Sequence, residues 1–290
     1  MSRPFRFSVN LLAACGRDEW VGKARTAESA GYDVIMVPDH LGMPAPFTSL
    51  LLAAEATERP RVAPFVLNVA FYNPTLLARE VAGLDQLTGG RLDLGLGTGY
   101  VKAEFDTAGL PFESGGQRVD RLEHTILELD RILADPDHQP RPVQAPRPPL
   151  LIGGAGDRVL RLAAKHAEII GFTGVAKAGS LVAGDTATLV ERAAFTRTAA
   201  GERADDVEFN LLIQRVAVTD NPKATLERAR MMSPDRTDAD LLDDTPILQI
   251  GTVKEIADRL REIRADTGIS HFTVLETSMK DFAAVMEELR

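Results

Sequence analysis

Short, nearly continuous apolar runs alternate along the chain with segments whose apolar positions recur every three or four residues. The runs are "FRFSVNLLA" (5–13), "VIMVPDH" (34–40), "VAPFVLNV" (62–69), "LDLGLG" (92–97), "PLLIGG" (149–154), "EIIGFTG" (168–174), "VEFNLLIQRVAV" (207–218) and "HFTVLE" (271–276). Such runs suit parallel strands buried on both faces. The intervening segments carry helix ends. "GRDEWVGKARTAESAG" has acids in its first turn and stops at Gly31. "NPTLLAREVAGLDQLTGG" starts at Pro74 and stops at Gly89 and Gly90. "RVDRLEHTILELDRILAD" is amphipathic and ends before a proline-rich loop, 136–149. Alternating β and α elements predict a parallel sheet. Eight such units in one chain fit a (β/α)8 TIM barrel, an α/β fold of typically ~250 residues plus insertions. A doubly wound sheet is the competing architecture. The polar stretch 175–206 reads as an insertion with an exposed helix, within a single domain spanning 1–290.

The chain has 290 residues, 44% hydrophobic and 26% charged, as in ordinary globular proteins. Its net charge of -9 disfavours nucleic acid and anionic membranes as partners. No apolar run is long enough to span a bilayer. "MSRPFRFSVN" lacks an apolar signal core, so a cytoplasmic location is expected. The one cysteine, Cys15, cannot form an internal disulfide or a cysteine-based metal site, and no metal is expected.

Residues 91–100, "RLDLGLGTGY", end a strand in three glycines. As a dinucleotide fingerprint they fail on spacing, because the third glycine position falls on Tyr100. A methyltransferase loop should open its domain and lead into a helix. Here three βα units precede it, and Pro111 and three glycines intervene before the next helix near Arg118. In a barrel the C-terminal ends of all strands surround one site. Those ends are Asn10; Asp39–His40; Asn68; Gly97–Thr98–Gly99; Gly153–Gly154–Ala155–Gly156; Thr173–Gly174; and Glu276. Polar residues and glycines gather at the end where a site should be.

Five blocks in order carry a resemblance: "AESAGYDVIMVPDH", "VLNVAFYNPTLLAREVAGLDQLTGGRLDLGLGTGYVKAEF", "GLPFESGGQRVDRLEHTI", "PPLLIGGAGDRVLRLAAKHAE" and "IGTVKEIADRLREIRADTGISHFTVLE". Together they resemble the luciferase-like monooxygenase superfamily, most closely its branch that uses the deazaflavin coenzyme F420. The resemblance implies a barrel of the bacterial luciferase-like type with the coenzyme at its C-terminal mouth. It implies an F420-dependent oxidoreductase exchanging a hydride between the deazaflavin C5 and a small organic substrate, and commonly a homodimer. Two alternatives stand beside it: an FMN-dependent monooxygenase using molecular oxygen, and a non-catalytic barrel used for binding.

The same resemblance assigns expectations to residues. His40, the histidine of the "DH" pair, would be the acid–base group, and Asp39 would contact the coenzyme. Histidine suits proton transfer near neutrality. Of the other four, His124 and His166 lie within helices, His138 in the proline-rich loop, and His271 at the opposite end of the barrel. The sugar-phosphate dehydrogenases of the branch have an acid directly after G-T-G. Tyr100 stands there instead, so it and Asn10 are read as substrate-pocket residues. A non-prolyl cis peptide is expected at Phe65–Val66 or Val66–Leu67, with Val66 and Leu67 behind the ring and Asn68 at its polar edge. Glycines at 95, 97 and 99 would admit backbone amides to the ring, with Thr98 offering a hydroxyl and Thr173 a further contact. "LLIGGAGDRVLRLAAKHA" is a strand, a glycine turn and a helix, which suits anion binding. Gly153, Gly154, Ala155, Gly156, Asp157 and Arg158 form the expected phosphate cradle. Arg158, Arg161 or Lys177 would help hold an anionic tail. Arg91 and Arg118 are read as structural ion-pair partners.

Overall fold

The structure is a computed structural model describing residues 3–173, 175–177, 180–182, 184–226, 230 and 237–290. Its principal strands are β1 (Arg6–Asn10), β2 (Val34–Val37), β3 (Arg61–Pro64), β4 (Leu67–Asn68), β5 (Leu94–Gly97), β6 (Leu150–Gly153) and β7 (Ile169–Phe172). A short ribbon follows, β8 (Val175–Lys177) with β9 (Ser180–Val182), and then β10 (Glu208–Ile213), β11 (Arg215–Val218), β12 (Leu248–Gly251) and β13 (His271–Leu275). The main sheet runs β3-β2-β1-β13-β10-β7-β6-β5-β4, all parallel. β3 and β4 are two halves of one stave, interrupted at Phe65–Val66. The first half pairs with β2 and the second with β5, and Val62 also bridges to Leu92. The sheet therefore closes on itself as an eight-stave barrel.

The eight apolar runs are the eight staves. One of them is longer than a stave and divides at Gln214. The Gln214 and Arg215 amides both donate to the Ile247 carbonyl. That turns β11 out of the barrel and onto β12, a strand absent from the sequence reading. The 175–206 stretch holds the antiparallel β8–β9 ribbon and the helix α7 (Thr186–Ala200). The helix is not simply solvated: Leu189, Ala193 and Thr196 are buried. Gly174 lies outside the described residues.

Helices α1 (Arg17–Ser29), α2 (Pro46–Glu55), α3 (Pro74–Leu87), α5 (Gly115–Ala134) and α6 (Asp157–His166) coat the barrel, with the short α4 (Lys102–Thr107) after β5. Their starts follow local chemistry. Asn73 accepts from the Thr75 and Leu76 amides ahead of Pro74. Ser114 and Gln117 close a capping box on α5. The larger core lies between staves and helices. A smaller one fills the barrel with Val34, Met36, Ala63, Phe65, Leu151, Ile169 and Leu212. Each of these side chains larger than Ala63 contributes about 1.5–3 kcal/mol on burial.

Below that inner core, the N-terminal ends of the staves carry a charge network. Arg6 bonds Asp93 at 2.6 Å and Glu208 at 2.8 Å, and Arg61 bonds Asp93 at 2.7 Å. Fully buried His271 meets Ser8 Oγ at 2.5 Å through Nε2. Its Nδ1 stands 3.3 Å from Glu208, off the hydrogen-bonding line, so Arg6 is the firmer partner. Burial alone would raise the Glu208 carboxyl. The His271 and Arg6 charges outweigh it and hold the group at about 2.

Candidate active site

A cavity of about 570 Å³ opens at the C-terminal ends of the staves. Asn10, Asp39, His40, Val66, Leu67, Asn68, Thr98, Gly99, Tyr100, Gly153, Gly154, Ala155, Gly156 and Thr173 line it. These are the site residues expected from the sequence, without Asp157 and Arg158; Glu276, the last of the strand ends, is not among the lining residues. Leu12, Met43, Phe112, Arg118 and Gln214 line it as well and had not been expected there.

The cis peptide lies at Phe65–Val66. The three glycines of 91–100 make room for this segment, and Gly97 and Gly99 also line the cavity. A Cβ on Gly95 would stand 2.0 Å from the Pro64 carbonyl oxygen, and one on Gly97 2.5 Å from a Val66 methyl. At Gly99, with φ +67°, a Cβ would meet Asn68 Oδ1 at 2.4 Å. The glycines let the broken third stave bulge against β5 and so set the floor of the cavity. This adds a packing reason to the expected role of the glycines as openings for backbone amides.

Asp39 ends the second stave. Its Oδ2 accepts the Asn68 amide at 3.0 Å, and the Tyr72 hydroxyl also bonds it. Burial pushes the Asp39 carboxyl up, and these two donors offset that only in part. Tyr72 is pushed up too, by burial first and by Asp39 second. Asp39 thus ties β2 to β4 across the mouth. His40 follows it. Its Nδ1 lies 2.8 Å from Glu104 Oε1, and the Tyr100 ring meets it edge-on at 5.8 Å and 86°. An acid therefore does stand beside the histidine, one helical turn beyond the position where the sugar-phosphate enzymes have theirs. Burial, then Glu104, push the half-exposed Tyr100 phenol up, so it stays a neutral hydroxyl.

On the far wall, β6 turns through the glycines into α6. Gly156 caps this helix with no side chain, leaving its first amides for a ligand. Gly154 has a packing role: a Cβ there would come within 2.5 Å of Val159 Cγ1. Around Gly156 the space is open. The Arg158 side chain does not reach the cradle. It bonds Asp120 at 2.5 Å and the Gly116 carbonyl at 3.0 Å, clamping α6 to α5. Arg161 faces Asp157 at 3.7 Å and the Phe195 ring, and Arg192 bonds Asp157 at 2.5 Å. The Lys177 side chain lies outside the described residues.

Arg91 is structural, though through carbonyls rather than an ion pair. It bonds the backbone oxygens of Ala54, Thr57, Pro60 and Thr88. Arg118 differs. Its guanidinium lies over Phe112 at 4.2 Å and bonds only the Glu113 carbonyl, while Nε is buried without a partner. Burial holds it below its ordinary value. A legible signal existed: no acid stands three or four residues from Arg118 on its own helix. Glu276 is committed elsewhere, accepting the Leu12 and Ala13 amides and pairing with Lys23 at 2.8 Å. Among the described residues no group of His, Cys, Asp or Glu is placed to hold a metal, and no helix is long and apolar enough to cross a membrane.

A closed parallel barrel with a polar cavity at its mouth, a histidine–carboxylate pair on one wall and an uncapped helix start on the other defines a barrel built around a ligand. The chain belongs to the luciferase-like monooxygenase family, whose model matches residues 3–271. An uncharacterized protein of Mycobacterium tuberculosis is 30% identical over 183 residues, covering 50% of this chain and 62% of that one. An F420-dependent glucose-6-phosphate dehydrogenase of Microbacterium testaceum is 28% identical over 258 residues, covering 81% of this chain and 74% of the relative. The oxygenase component of a flavin-dependent trigonelline monooxygenase of Acinetobacter baylyi is 27% identical over 154 residues, 47% of this chain and 42% of the relative. In structure, the coenzyme F420 dependent tetrahydromethanopterin reductase of Methanopyrus kandleri superposes with a TM-score of 0.79 at 17% identity, covering 99% of this chain and 100% of that one. Relatives thus include both F420-dependent and flavin-dependent enzymes.

Proposed function

We propose that the protein is an F420-dependent oxidoreductase acting on a small organic substrate. The observation that carries this is His40, on the cavity wall and hydrogen-bonded to a carboxylate. A bound deazaflavin supplies hydride exchange at C5 and leaves proton transfer to the protein. His40 does that work, taking or giving the proton at Nε2. The free amides at the start of α6 and the Arg118 guanidinium hold the coenzyme's phosphate. Asn68, Thr98 and Thr173 meet the polar parts of the coenzyme, and Val66 and Leu67 back its ring. Asn10 and Tyr100 face the substrate. The residues suit such a ligand on their own chemistry: Asn10 Oδ1 and Arg118 Nε are buried and unpartnered, and the Gly156 edge is open.

The FMN-dependent reading keeps one observation in its favour. Arg158 is tied to Asp120 and is not free to meet the anionic tail that distinguishes F420 beyond the phosphate. Titration of the purified protein with oxidised F420 and with FMN separates the two. F420 should bind at micromolar levels or better, and FMN at least about tenfold more weakly, a difference of ~1.4 kcal/mol. Equal affinities, or stoichiometric FMN on the purified protein, would move the assignment to the flavin.

A further inference from the structure

We propose that Glu104 is a positioning residue for His40: it fixes which ring nitrogen carries the proton and so turns Nε2 into the working base. This rests on the acid–base role of His40 proposed above. His40 Nδ1 lies 2.8 Å from Glu104 Oε1. An ionised carboxylate can only accept, so Nδ1 must donate. The neutral ring then keeps its lone pair on Nε2, on the side away from Glu104. When Nε2 takes a proton from a substrate hydroxyl, the new positive charge lies beside the carboxylate. When the proton returns, the same bond restores the starting tautomer.

The carboxylate is placed with some rigidity. Glu104 is largely shielded, with 15% of its side chain exposed, and His40 is its hydrogen-bond partner. The next residue, Phe105, is 1% exposed and packs on Phe71 at 5.8 Å and Phe112 at 5.0 Å. That anchors α4 beside the cavity, which Phe112 itself lines. Lys102, on the same short helix, is occupied by Asp106 at 2.7 Å. Tyr100 meets the imidazole edge-on and limits its rotation about the Cβ–Cγ bond. A ring held from two sides by a bond and a packing contact is what orienting a proton-transfer group requires. The pairing also accounts for Tyr100 standing where the sugar-phosphate enzymes have an acid: here the acid comes from one helical turn later.

The test is side-chain 15N NMR of the coenzyme-free, full-length protein labelled at histidine. The His40 signals are assigned by their loss in His40→Ala. In the wild type the neutral His40 should show Nδ1–H and a lone pair on Nε2. Glu104→Leu, which removes the acceptor at similar volume, should convert it to the Nε2–H form that free imidazole favours. In turnover, Glu104→Leu should lower kcat by at least about tenfold, since losing the carboxylate that sets a catalytic histidine's tautomer can cost up to ~10⁴, and leave F420 affinity within about threefold. An Nε2–H tautomer in the wild type, or an unchanged tautomer in Glu104→Leu, would overturn the proposal. The wild-type spectrum needs no coenzyme to bind, and its assignment needs only that His40→Ala folds. Failure of F420 to bind would therefore count against the proposed function while the tautomer still decided the role of Glu104.

Discussion

The two ends of the barrel are built from similar side chains and treat them in opposite ways. At the base, Arg6 and Arg61 converge on Asp93, and Arg6 also holds Glu208. The charges there neutralise one another at 2.6–2.8 Å. At the mouth, half-buried Asp39 has two neutral donors and no cation bonded to it. Arg118 keeps a buried Nε with no acceptor. Both ends place histidines next to carboxylates. His271 is sealed under the inner core, whereas His40 looks into a cavity. Paired, saturated charges hold staves together; unsaturated ones wait for something else. A buried ion pair is costly to break from one side, since the survivor is left uncompensated. An unfinished site costs less to alter in stability and more in function.

The largest effect should come from the mouth. His40→Ala should lower kcat by ~10²–10⁴, the range for a general acid–base group, while coenzyme affinity stays within a few-fold and the melting temperature hardly moves. Steady-state kinetics beside thermal melts would check this. Retention of most of the kcat would make His40 a wall residue and erase the functional half of the comparison.

At the base the pattern should invert. Asp93→Ala strips a partner from two arginines at once and should destabilise the fold by about 3–5 kcal/mol. Denaturant unfolding measures that loss. The folded fraction should still bind coenzyme as the wild type does. A change in affinity rather than stability would mean that the two ends are not independent.

Acid should reveal the base as well. The Glu208 carboxyl is held at about 2 in the folded chain. Because its value is depressed on folding, the stability it contributes is complete above the ordinary carboxylate value, ~4.3. That stability is lost as pH falls from there through about 2. The linked loss is of order 3 kcal/mol, at ~1.4 kcal/mol per unit. Unfolding curves across that range should show it, and Glu208→Gln should flatten the dependence. An equally steep dependence in the variant would assign the acid lability elsewhere.

Much of this architecture is written locally. The staves are legible because a strand buried on both faces has to be apolar throughout, as in Val34–Val37 and Leu150–Gly153. Helix starts are legible because Asn73–Pro74 and Ser114 with Gln117 solve a local hydrogen-bonding problem. The division at Gln214 is not, since the 247 carbonyl that causes it arrives from a distant segment. Candidate site residues at strand ends follow from topology, so most of them could be named. Their partners could not. Glu104 reaches His40 across 64 residues of sequence, and no spacing rule links them. The glycines of 91–100 show the same limit from the other side: their presence is plain, but the bulge of Val66 that requires them belongs to another stave.

The smallest effect is also the most pointed. Arg118→Met keeps the packing against Phe112 and removes the charge at the mouth. It should weaken F420 binding about 10- to 100-fold, the worth of one or two charge-assisted hydrogen bonds, with stability within ~1 kcal/mol. Gly156→Val should act in the same direction by filling the open edge of the cradle. Gly154→Ala should instead disturb packing against Val159.

We propose that the unsaturated mouth is an F420 site. The direct measurement is a fluorescence titration of F420 into wild type, Arg118→Met and Asp93→Ala under one condition, with FMN titrated in parallel. F420 should bind tightly to the wild type and to folded Asp93→Ala. Arg118→Met should lose at least about tenfold, and FMN should bind more weakly than F420 by a similar factor. Equal binding of F420 by wild type and Arg118→Met, or FMN bound as tightly as F420, would contradict the F420 assignment.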